Sequence, residues 1–236
     1  MSSYYRIADH IINIINNGNK LSTLSLLPSF VPFKCDNLLN EKILFKLTID
    51  QSVTLIESDK VHHIRAFDTG NGDTVVDLLD DGGYQFVIKN IKDNDCVLLI
   101  TNKDFSDCKC RLYGTRTMQS FGLNNALMLI MAFAGSSKDT ILVHASLVRH
   151  NGYGYAFIAK SGTGKSTQVS LWLRYIPNCD LMNDDNPVIR LIDGSPYIYG
   201  SPWSGKTPCY RDVKAPLGAI TRIDRAKSNF VDKLSP

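Results

Sequence analysis

The chain has 236 residues, 44% of them apolar and 21% charged, with 26 Lys and Arg against 23 Asp and Glu for a net charge of +3. This is the composition of a globular protein with a core, not of a disordered chain. No run approaches 18 apolar residues, which argues against a membrane helix, and so small a positive excess gives no footprint for nucleic acid.

The first residues lack an apolar stretch followed by a small-residue cleavage site, so no secretion signal is expected. Six irregularly spaced cysteines then read as free or buried thiols of a cytoplasmic protein. Cys108-Lys109-Cys110 is the one close pair, and without a second pair or a nearby His it is a poor zinc site.

In chain order, the spacing of Ile7, Ile11, Ile12, Ile14 and Ile15 predicts a helix over 4–16, stopped by Asn16-Asn17-Gly18-Asn19. After a Pro-bearing link, short runs rich in β-branched residues at 43–49, 53–57, 61–67, 74–79, 84–88, 96–101 and 111–113 predict strands. Turn clusters at 68–72, 80–83 and 92–95 separate them, as in an antiparallel meander. His62 and His63 would face opposite ways on a strand and cannot share a ligand. Residues 1–115 thus form a β-rich region carrying no motif.

Residues 123–133 are apolar nearly all round and predict a buried helix ending at Gly135. A strand over 140–148, a turn at Asn151-Gly152 and a strand over 155–158 predict an antiparallel hairpin. The second strand runs into Ala159-Lys160-Ser161-Gly162-Thr163-Gly164-Lys165-Ser166-Thr167, and a helix is expected from Lys165 to Tyr175, before Pro177.

Backbone amides from Ser161 to Ser166, backed by a helix N-terminus, suit a polyphosphate. Gly162 and Gly164 permit unusual dihedrals, Lys165 would reach outer phosphates, and the Ser166 hydroxyl would meet Mg²⁺. The usual motif opens with Gly where this chain has Ala159, which is tolerable only at negative φ. His144 precedes the hairpin turn, so the antiparallel partner brings it beside the loop. Asp184-Asp185 follows the helix, and beside a cation one acid can hold Mg²⁺ while the other accepts a proton.

This combination resembles the catalytic domain of HPr kinase/phosphorylase and its smaller relatives, which share a fold with ATP-dependent phosphoenolpyruvate carboxykinase. The matching pieces are 143–148, 158–167 and 182–185. The resemblance implies an α+β domain over 120–236 with the phosphate loop in a mixed or antiparallel sheet, cut short at its C-terminus, where Ser235-Pro236 reads as a helix start. It implies that residues 161–167 hold ATP, that Ser166 and Asp184 hold Mg²⁺, that Asp185 is the base, and that His144 sits near the metal and phosphates. The two acid roles could be exchanged.

The acceptor would be a serine-type hydroxyl of a protein, peptide or small molecule, and a homo-oligomer is left open. The motif for a reverse phosphorylase reaction is not found, nor are oxaloacetate-binding residues. Trp203 and Lys206, in a Gly-flanked segment, are candidate substrate contacts, against a simple surface turn. Arg190, Arg211 and Arg222 are unselected phosphate contacts. The rival readings are a nucleotide-binding sensor or assembly module without transfer activity, and an ordinary parallel-sheet NTPase.

Overall fold

The computed structural model describes residues 1–36, 41–57, 60–68, 72–205 and 207–234. It opens on two strands, β1 (Ser2–Ile7) and β2 (His10–Asn17), paired antiparallel about Ala8 and Asp9 at φ 49° and 59°. The helix expected over 4–16 is thereby corrected. The isoleucines decide it: β-branched side chains lose χ1 freedom in a helix and pack well on a pleated surface. Most of β2 is buried on both faces, which erases the alternation that marks a strand.

A single helical turn, α1 (Thr23–Leu26), a 3-10 turn over Pro28–Phe33 and β3 (Lys34–Cys35) follow. Next come β4 (Ile43–Asp50), β5 (Val61–Asp68), β6 (Asp73–Leu79), β7 (Tyr84–Lys89), β8 (Asp95–Thr101) and β9 (Asp107–Leu112). Strands β5 to β9 are the expected meander. Residues 53–57 form no strand, and part of the expected turn at 68–72 lies outside the described residues.

The nine-stranded sheet runs β3-β1-β2-β4-β9-β8-β7-β6-β5. β4 stands outside the meander, parallel to both β2 and β9. Cys108 and Cys110 alternate inward on β9, where burial pushes both thiols up, and all six cysteines are free.

α2 (Arg116–Ser136) extends the expected helix at both ends and contains Gly135 in its last turn instead of stopping at it. Its Leu123, Leu127, Ile130 and Met131 join one core with Phe45, Leu47, Val97 and Leu99 of the sheet and with Phe30, Tyr199 and Trp203. Among the described residues no helix is long and apolar enough to cross a membrane.

The second sheet holds β10 (Thr140–Leu142), β11 (Ala145–His150), β12 (Tyr153–Ile158), β13 (Cys179–Asp185), β14 (Val188–Ile192), β15 (Ser195–Tyr199) and β16 (Lys214–Arg222), with α3 (Lys165–Tyr175) between β12 and β13. The strand expected over 140–148 is broken at Val143 and His144, so His144 lies in a gap and not within a strand. Opposite the gap lie Asn186 and Pro187, and Pro187 has no N–H to continue the ladder. The register nonetheless carries through, Leu142 facing Val188 and Ala145 facing Asp185.

Asn151 and Gly152, at φ 47° and 84°, turn the expected hairpin. β12 is antiparallel to β11 and parallel to β16. Successive pairings run β11–β12–β16–β15–β14, and β14 continues from β13, which pairs back onto β11. The sheet therefore curls round on itself. Ala145, Leu147, Ala156, Met182, Ile189, Ile198 and Ala215 fill its interior. Outside, Val169 and Trp172 of α3 pack on Val148, Phe157 and Leu181. The whole is an α+β architecture of two mixed sheets and few helices.

Candidate functional site

Residues 159–164 join β12 to α3. Gly162 and Gly164 take φ of +77° and +127°, and beyond their chain neighbours nothing lies within 4 Å of where a Cβ would stand. Open space thus lies beside the loop at the N-terminus of α3, whose first amides have no partner within the helix and favour an anion. Ala159 is not among the residues at positive φ, so its methyl costs no strain.

Lys165 opens α3 and folds back over the loop, its Nζ donating to Ala159 O at 3.0 Å. The same Nζ lies 3.0 Å from His144 Nε2, and His144 Nδ1 lies 3.0 Å from Asp185 Oδ1. An ammonium only donates, so Nε2 accepts, and the imidazole proton sits on Nδ1 and is donated to Asp185. The break between β10 and β11 is what frees His144 to bridge the loop and the acid.

Both acids end β13. Asp184 is 6% exposed, and its Oδ1 accepts from Ser146 Oγ at 2.7 Å and lies 3.5 Å from Ser166 Oγ. Asp185 is half-buried, and its Oδ2 accepts from Asn186 Nδ2 at 2.7 Å. Asn183, fully buried, shapes the turn: its Oδ1 accepts from the amides of Asp185 and Asn186, both at 3.0 Å, while its Nδ2 donates to Trp203 O at 3.0 Å. Gly205 N donates to Asp184 O at 2.8 Å from the other side.

The Ser166 hydroxyl and the Asp184 carboxylate form a hard-oxygen pair of the kind Mg²⁺ selects. Among the described residues no group of three or more His, Cys, Asp or Glu is arranged around a metal. A cation here would complete its shell with phosphate and water oxygens, which is how Mg²⁺ is usually held.

Of the residues singled out in the sequence, Ser161 to Thr167, His144, Asp184 and Asp185 come together. Trp203 lies nearby but 6% exposed, packed edge-on to Phe30 (ring centroids 5.7 Å) with Nε1 donating to Asn124 O at 3.2 Å. It is a core residue with one edge toward the site. Lys206 lies outside the described residues, as do Ser235 and Pro236. Arg190 donates to Ala8 O, and Arg222 pairs with Asp224. Arg211 donates to Leu181 O and, with Arg149, pairs with Asp180; burial works against that carboxyl's charge, but the two guanidinium hydrogen bonds hold it below the usual range.

Three residues of the site were not legible beforehand. Ser146 and Asn183 are polar positions buried in strands, and Asn183 was detectable in principle as an Asx-type residue just before paired acids. Arg225, whose Nη2 donates to Gly162 O at 2.8 Å, lies in an irregular tail with no local signal. No protein-family model matches the chain, and no curated protein matches it.

Proposed function

We propose that this chain is an ATP- and Mg²⁺-dependent kinase of the HPr kinase/phosphorylase-like group, moving the γ-phosphoryl group to a serine-type hydroxyl. One observation carries the reading: Lys165, His144 and Asp185 form a continuous hydrogen-bonded chain from the phosphate loop to a half-buried carboxylate. A loop that only bound anions would not need that link. The mixed pairing of β12 also supports the reading, since ordinary P-loop NTPases set this strand among parallel neighbours.

In this assignment the amides of the loop and Lys165 hold the polyphosphate, and Ser166 and Asp184 hold Mg²⁺, which when bound neutralises charge on the outer phosphates. Asp185 takes the proton of the acceptor hydroxyl. His144 holds the Asp185 carboxylate from one side and Asn186 from the other, leaving lone pairs on both oxygens for an incoming hydroxyl. Ser146 fixes the Asp184 carboxylate so that it faces Ser166. Six free cysteines suit the reducing cytoplasm in which we place this activity.

The test uses calorimetry and product detection together. Wild type should bind ATP·Mg²⁺. Asp185→Asn should keep that affinity within about threefold while transfer falls by at least about 100-fold, the range of general-base contributions. Equal transfer by wild type and Asp185→Asn would remove the assignment of the base. Binding with no transfer to any acceptor would leave a nucleotide sensor.

A further inference from the structure

Asp185 has a second setting that the kinase reading does not use. Its side of the acid pair borders a cavity of about 250 Å³ walled by Asn124, Asn125 and Met128 of α2, by Trp203 and by Tyr210. This is a little below the usual range for a ligand site, which suits only a small molecule. It opens against the same carboxylate that His144 ties to Lys165, so Asp185 is the one residue shared between the cavity and the hydrogen-bonded chain to the phosphate loop.

The lining specifies a chemistry. Asn124 and Asn125 interrupt the apolar stretch of α2 over 121–135, and both use their amide nitrogens internally, Asn124 Nδ2 donating to Ser120 O at 3.2 Å and Asn125 Nδ2 to Phe121 O at 2.8 Å. Each amide oxygen therefore remains as an acceptor without a partner among the described residues. With Asp185 they make a wall of acceptors, which takes O–H or N–H donors. Met128 and Trp203 offer an apolar surface for C–H groups. Among the described residues no Lys, Arg or His lines the cavity, so an acidic ligand would meet Asp185 uncompensated.

We infer that the acceptor is a small neutral polyol of sugar or cyclitol size, bound between Asn124, Asn125 and Asp185 with a C–H face on Trp203. The inference rests on the kinase reading and narrows its acceptor. One polyol hydroxyl gives its proton to Asp185 while its oxygen bonds to the γ-phosphorus of the nucleoside triphosphate. The bond from that phosphorus to the β–γ bridging oxygen breaks, and nucleoside diphosphate leaves.

The experiment incubates the full chain with ATP·Mg²⁺ and, separately, glucose, myo-inositol, ribitol, ethanolamine, glycerate or a serine peptide, reading phosphorylated product by ³¹P NMR. ATP binding is followed by calorimetry in the same samples. A phosphorylated polyol is expected, with Asn125→Leu raising its KM about tenfold, the effect of one lost hydrogen bond, and leaving the affinity for ATP unchanged. Asn124→Gln, which moves the amide oxygen by one bond, provides a second variant should Asn125→Leu not fold. Transfer to the serine peptide, glycerate or ethanolamine but to no polyol overturns this inference and leaves the kinase reading standing. ATP binding without any transfer overturns both, and absence of ATP binding does so earlier, at the calorimeter.

Discussion

Ser146 and Asp184 face each other across β11 and β13, and the serine Oγ donates to the carboxylate Oδ1 at 2.7 Å in a buried setting. The bond selects one orientation of this buried acid, the one in which the same oxygen also faces Ser166 of α3. Replacing the serine leaves the oxygen with only the longer contact to Ser166. Ser146→Ala is expected to lower stability by about 1–3 kcal/mol, the cost of a buried acceptor left short of a donor. Urea unfolding measures this; an unchanged midpoint would mean that water restores the bond.

Lys165 is expected to matter for the ligand and not for the fold. Among the described residues its ammonium is held by Ala159 O and His144. Lys165→Met should weaken ATP·Mg²⁺ binding by about 10- to 100-fold, the worth of a charge-assisted contact. Stability should stay within about 0.5 kcal/mol, as for most substitutions away from a packed core. Calorimetry and thermal unfolding on one preparation separate the two effects, and equal ATP affinities would remove Lys165 from the site.

The narrow interior of the curled sheet makes Gly154 irreplaceable on steric grounds. A Cβ there would stand 2.3 Å from Ile198 Cγ2, and Leu147 leaves little room for retreat at 3.5 Å. Gly154→Ala is expected to cost about 1–3 kcal/mol through overpacking. The paired variant Gly154→Ala with Ile198→Val should recover part of the loss in a denaturation series. An additive pair would show that the strain lies elsewhere.

His10 supplies a pH dependence. Its Nε2 is 2.8 Å from Thr140 Oγ1, whose own proton goes to Lys138 O, so the ring donates. Burial, with Arg190 nearby, lowers its pKa to about 4 from an ordinary 6.5. Between those values the unfolded chain binds a proton that the folded chain refuses, so stability rises with pH through this window and falls on acidification from 6.5 to 4. The contribution is at most about 3 kcal/mol. His10→Gln should flatten this part of the stability profile, measured by urea unfolding at half-unit steps; a wild-type profile already flat there would contradict the buried neutral ring.

Short-range signals carried most of what could be read beforehand. Asn151-Gly152 needs two positive φ values and little else, so the hairpin was legible, and with it the approach of His144 to the loop. The start of α3 follows from the glycine-rich loop ending at Gly164, and its stop from Pro177, which pushes Ile176 into extended backbone. Ile7 to Ile15 misled because a strand buried on both faces shows no alternation, leaving a helical spacing to be read by chance. The parallel place of β4 depends on partners far along the chain, Ile12 on one side and Cys108 on the other, and no local residue encodes it. Ser146, Asn183 and the wall of asparagines on α2 were hidden for the same reason: their roles exist only once the two sheets meet.

Among the described residues β13, which carries both acids, pairs with a named strand along one edge, β11. Its other edge is covered by the following segment, through an antiparallel bridge of Asp185 with Ser204, Gly205 N on Asp184 O, and Cys209 Sγ and the Arg211 guanidinium on Leu181 O. Exposed rows of backbone donors and acceptors recruit strands from other molecules. Gly205 and Arg211 therefore also shield this border of β13, beside the acids, from strands of other molecules.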